Sequence, residues 1–189
     1  MLIPMIVHQP EALVQVAAHT PYWVWGLLAA LVALGASQLR GRRAGLRRVL
    51  IVPVGMGVFS VAGVVSAFGA SGPTSAQAVG AWVLATTAIT ALALWFQPTA
   101  PEGAQYIPSS RSFHIPGSAM PLALILGIFL TKYFVGVELA LQPALARDSG
   151  FALQISALYG MFSGLFAVRA FRLWRLAQQA PVFSAPAAT

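Results

Sequence analysis

The 189-residue chain contains no cysteine, and only four of its residues are Asp or Glu. Lack of thiols excludes disulfides, thiolate metal sites and cysteine nucleophiles within this sequence. Scarce carboxylates leave little from which to build an acid and base pair, the more so because Glu11, Glu102 and Asp148 fall in segments that read as loops or interface. Charge of either sign is rare. Only 8% of residues are charged, whereas a soluble domain carries roughly 25%, and none at all lies between Arg48 and Glu102. A charge-free run of that length accommodates two membrane spans of about 20 residues each.

Catalytic signatures are missing as well. The chain has no GxSxG elbow, HExxH pair, Walker loop or CxxC. No catalytic residue is assigned, and the sequence leans away from an enzyme. His8, His19 and His114 are scattered over different segments, so no two stand at ligand spacing. Neither a metal nor another cofactor is called for.

What is present is apolar: 58% of residues are hydrophobic, with a mean hydropathy of +0.78. This predicts an all-α integral membrane protein. Charges, prolines and glycines bound five spans at about 21–39, 49–70, 77–96, 119–141 and 151–171. They form a transmembrane domain over 21–175, preceded by an outer-face segment, 1–20, and followed by a flexible tail, 176–189. In the first segment, residues 10–18 read either as a short interfacial helix or as a frayed terminus. A cleavable signal peptide is not expected, because no Lys or Arg precedes the first apolar run. Between spans three and four, apolar residues on either side of "PSSR" suggest a small cytoplasmic hairpin, with an irregular loop as the alternative.

Orientation follows from the basic residues. Arg40, Arg42, Arg43, Arg47 and Arg48 follow span one, Arg111 follows span three, and Arg169, Arg172 and Arg175 flank the C-terminal end of span five. Arg147, beside Asp148, stands alone in the opposite loops. Positive loops remain in the cytoplasm, which predicts the N-terminus outside and the C-terminus inside. Tyr22, Trp23 and Trp25 then form an outer aromatic belt. The net charge of +7 sits at the ends of apolar runs, so the basic clusters are read as topology determinants that attract anionic lipid and not as a nucleic-acid surface.

Two further patterns stand out. Ser156, Gly160 and Gly164 recur at four-residue spacing, as do Ala62, Ser66 and Ala70, and small residues at that spacing let helix backbones approach. These faces are read first as packing within the bundle, second as contact with another copy or a partner membrane subunit. Within "GIFLTKYFVGVELAL", Lys132 and Glu138 sit where an ionisable group costs several kcal/mol unless paired or hydrated. Depth counting places Ser60, Thr86, Thr87 and Tyr159 level with Lys132, and Gln154 level with Glu138. A polar intramembrane site is therefore expected.

The segments "HTPYWVWGLLAALVALGASQ", "VAGVVSAFG", "FHIPGSAMPLALILGIFLTKYFVGVELAL" and "LYGMFSGLFAVRAFRLWRL" resemble a family of small proteobacterial inner-membrane proteins of unknown function. Its most distinctive portion is "PGS...PL...FxxKY". The resemblance implies membrane location and a five-span pattern, and carries no activity. The leading functional expectation is a transporter or permeation component for a small or anionic solute at Lys132. The alternative is a structural or accessory subunit packing on a partner.

Overall fold

The structure is a computed structural model and describes Ala18 and residues 20–69 and 73–179. The interfacial-helix reading of residues 10–18, apart from the helical Ala18, lies outside the described residues, as do His8, Glu11, His19 and Ala70. Among the described residues, five helices are long and apolar enough to cross a membrane. They are α1 (Tyr22–Ala36, extended by a 3-10 turn Ser37–Leu39), α2 (Leu46–Phe68), α3 (Pro73–Phe96), α4 (Met120–Leu141) and α5 (Ser149–Gln179). Each covers one of the apolar runs.

The tightest seam joins α3 to α5. At Gly160 an added Cβ would lie 2.5 Å from the Trp82 carbonyl oxygen, and at Gly164 it would lie 2.9 Å from that of Thr86. Only glycine lets these backbones meet. The Thr86 hydroxyl donates to the Gly160 carbonyl at 3.1 Å, and that of Thr90 donates to Thr86 at 2.7 Å and to Gly164 at 3.5 Å. Between helices in lipid, close packing and such bonds replace the hydrophobic driving force. Helix α2 completes this bundle through Val64 and Phe68, which cluster with Ala78, Ala152 and Tyr159.

Helices α1 and α4 form a second pair. Gly35 is buried against Leu122, and the Thr20 and Tyr133 hydroxyls are 2.5 Å apart. Helix α4 meets α5 at Gly127, where an added Cβ would stand 3.1 Å from the Phe162 ring.

A three-stranded antiparallel sheet covers one end of the bundle. Its strands are β1 (Arg42–Gly45), β2 (Gln105–Ile107) and β3 (Ser112–Ile115), in the order β1-β3-β2. The β2–β3 hairpin turns through Pro108–Ser110 and Arg111, whose φ of 45° is left-handed. The basic loop contributes β1, which the sequence reading assigned no strand: its alternation is only "RRAG", too short and too charged to signal one. Arg42 pairs with Ile115 and Ala44 with Phe113, so these four share a face. That face buries Phe113, Ile115 and Ala44 against Leu173. For this reason α5 runs to Gln179, and residues 176–179, read from sequence as the start of the tail, form its last turn with Leu176 and Ala177 on the sheet.

Candidate functional site

Lys132 projects from α4 toward α2 and α5. Its Nζ lies 5.1 Å from the centre of the Phe59 ring and 4.8 Å from that of Tyr159. Both distances are within cation–π range, worth about 0.5–2 kcal/mol each. Gly63 forms the floor: a Cβ there would stand 2.7 Å from Nζ. Phe59 and Gly63 are four residues apart on α2, hence on one face, and the ammonium occupies the notch that the glycine leaves. Two aromatic faces hold the head, with no carboxylate bonded to it among the described residues.

Twelve residues of α4 precede Lys132 and nine follow it. At 1.5 Å per residue the charge lies ~18 Å from one end and ~13 Å from the other. It thus lies within the length of the helix, half-buried, and nearer the end away from the sheet. Cation–π contacts offset part of the cost of placing a charge there. Phe59 is 64% exposed, so the cradle opens onto the side of the bundle.

The other sequence-expected residues distribute differently. Tyr159 is in the cradle through its ring. The Ser60 hydroxyl accepts the Trp82 indole N–H at 3.0 Å, and the Thr86 hydroxyl is committed to Gly160; both tie helices together. Thr87 is exposed on α3. Glu138 is half-buried and engaged in an interaction of its own, while Gln154 is exposed. Depth counting cannot assign azimuth, so it collected hydroxyls that bond elsewhere. Phe59 and Gly63 were missed as ligands of the charge; their four-residue spacing was the signal that could have found them.

Of the small-residue faces, Ser156, Gly160 and Gly164 are buried. The Ser156 hydroxyl lacks a hydrogen-bond partner among the described residues. Ala62 and Ser66 are exposed on α2, the latter hydroxyl donating to Gly63 at 3.0 Å.

The arginines gather at the sheet end. Arg40, Arg43, Arg47, Arg48, Arg111 and Arg175 are exposed, whereas Arg42, Arg169 and Arg172 are partly buried. Arg172 donates through Nη2 to the Ala93 carbonyl at 2.6 Å, in the last turn of α3, where a cation complements the helix dipole. Burial first, and the like charge of Arg48 second, lower the Arg42 guanidinium from its ordinary range. No group of three or more His, Cys, Asp or Glu among the described residues could hold a metal.

Among the described residues these features define a class: a protein with five helices long and apolar enough to cross a membrane, an arginine-rich sheet at one end and a lysine cradled between helices. The chain belongs to a family of unknown function, DUF6622, whose match covers residues 1–185. No curated protein and no solved structure matches it.

Proposed function

We propose that this is a multi-pass protein of a bacterial inner membrane and that the Lys132 cradle is a binding station for a small anionic solute on a permeation path. One observation carries the reading: an intramembrane ammonium is held by ring faces and a glycine notch and is bonded to no carboxylate among the described residues. A charge in that setting attracts an anion, and an intramembrane ionisable group marks a solute or ion path by default. Of the other residues of the expected polar site, Ser60 and Thr86 are engaged between helices and frame the cradle, and Glu138 is the one proposed to stand further along the same path. The N-terminus lies outside and the C-terminus in the cytoplasm, in keeping with nine arginines at the sheet end and one, Arg147, at the other. The exposed arginines of the sheet end draw anionic lipid.

The test is anion flux in proteoliposomes. The wild-type chain should conduct or exchange small anions, and Lys132→Met, which keeps length and removes the charge, should fold and lose the flux. Equal flux in both would remove Lys132 from any path. Reporter fusions after residues 75 and 149 should report the exterior, and fusions after 105 and at the C-terminus the cytoplasm; inversion at any of them would overturn the orientation.

A second reading, an accessory subunit that packs on another copy or a partner protein, draws on Ala62 and Ser66, which are exposed on α2. The corresponding face of α5 is occupied by α3. Cross-linking through α2 together with unchanged flux in Lys132→Met would favour it.

A further inference from the structure

The sheet brings arginines from separate elements to one place. Arg42 shares the covered face of the sheet with Ala44, Phe113 and Ile115, and that face rests on Leu173 of α5. Arg169 is four residues before Leu173, on the same side of α5 and one turn deeper. Arg48 stands in the first turn of α2, directly after β1, and is exposed. Arg42 and Arg169 are each partly buried, and electrostatic repulsion links Arg42 to both Arg48 and Arg169. Arginine does not lose its proton in proteins, so the repulsion cannot be relieved by neutralisation. Among the described residues the acidic groups do not relieve it either. Glu102 is exposed in the loop ahead of β2, Glu138 is near the far end of α4, and Asp148 accepts the Phe151 backbone N–H at the far end of α5.

The depth is informative. Trp95 and Phe96, 84% and 77% exposed at the end of α3, mark the aromatic belt of this side. Arg172 is bonded to Ala93, two residues from Trp95. Arg169, one turn away, therefore lies at the boundary between hydrocarbon and headgroups. Arg42 on the covered face and Arg169 on the side of α5 that meets it, with Arg48 in the first turn of α2, match one chemistry: a phosphate, which an arginine binds through two parallel N–H···O bonds.

We infer that Arg42 and Arg169, with Arg48 at the mouth, form a phosphate-binding site between the sheet and the ends of α2 and α5. This sharpens the general attraction of the basic end for anionic lipid and rests on the membrane-spanning reading, but not on the Lys132 path. The phosphate belongs either to a lipid headgroup or to a free small phosphate, and the test separates the two.

The full chain in a neutral detergent is titrated with phosphatidylglycerol, with phosphatidylcholine, and with inorganic phosphate at constant ionic strength, and the thermal midpoint is read. A saturable rise with phosphatidylglycerol alone assigns the site to a lipid headgroup; a rise with inorganic phosphate assigns it to a free phosphate. In Arg42→Gln and Arg169→Gln the apparent affinity should fall at least about tenfold, as expected on losing a charge-assisted bidentate contact. Arg48→Gln, at an exposed position where folding is not at risk, should weaken it by about threefold to tenfold. Without added anion, Arg42→Gln should be no less stable than wild type, because a like-charge repulsion has been removed. Arg43→Gln with Arg111→Gln, exposed and off the covered face, and Lys132→Met should keep the saturable response. Absence of a saturable response to either phosphate source would overturn the inference. So would a response retained in Arg42→Gln, Arg169→Gln and Arg48→Gln, or lost equally in the Arg43 and Arg111 variant.

Discussion

The seam between α3 and α5 and the seam where α4 meets α2 and α5 solve the same problem by different means. In the first, glycines at two successive turns bring backbone to backbone, and threonine hydroxyls bond across the gap. In the second, one glycine faces the edge of a phenylalanine ring and another faces the flexible tip of Lys132. A backbone cannot yield, whereas a ring edge or an ammonium on a four-carbon stem can. The first seam is thus fixed by geometry, and the second keeps room for a change of contents.

Substitutions at the glycines separate the two. Gly160→Leu should have the largest effect, a loss of about 3 kcal/mol or more, because the new side chain meets the Trp82 carbonyl and Ala85. Gly164→Leu should follow closely. Thermal unfolding in detergent checks both, and losses no larger than that of Leu153→Ala, at an exposed position of the same helix, would break the comparison. At the looser seam, Gly127→Ala should cost about 1 kcal/mol, since the Phe162 ring can shift by a few tenths of an ångström. Gly63→Ala should be similarly mild for stability but should displace the ammonium, so anion flux should fall although the protein stays folded. A loss of fold without a change in flux would reverse that expectation.

The small-residue face of α5 was legible because the four-residue spacing of Ser156, Gly160 and Gly164 is itself the packing code. The five apolar runs were legible for the same reason: length and hydropathy are local properties. The third strand was not, because β1 is stabilised by pairing with β3 and by Leu173, residues distant in sequence. Around Lys132, depth could be counted from the sequence but not which hydroxyls were already engaged. Trp82 holds Ser60 and Gly160 holds Thr86, and neither contact leaves a periodic trace.

Smaller effects sharpen the contrast further. Lys132→Met should change stability little or raise it, since a half-buried charge is replaced by an apolar side chain of similar length while two ring contacts are lost. Ser156→Ala should raise stability by about 1 kcal/mol by removing a buried hydroxyl that lacks a hydrogen-bond partner among the described residues. A clear loss in the serine variant would mean that its hydroxyl is bonded within the tight seam.

The absence of cysteine from the chain makes one measurement unambiguous, because any introduced thiol is the sole target. Lys132→Cys in membrane vesicles is treated with a small, water-soluble thiol reagent beside Leu84→Cys and Val58→Cys, whose positions are 73% and 66% exposed on the outer surface of the bundle. Water reaching the cradle should allow the thiol at 132 to react while the two surface positions, facing lipid, stay unmodified. A thiol at 132 as unreactive as the lipid-facing pair would contradict a hydrated cradle and leave Lys132 as a structural pin between helices.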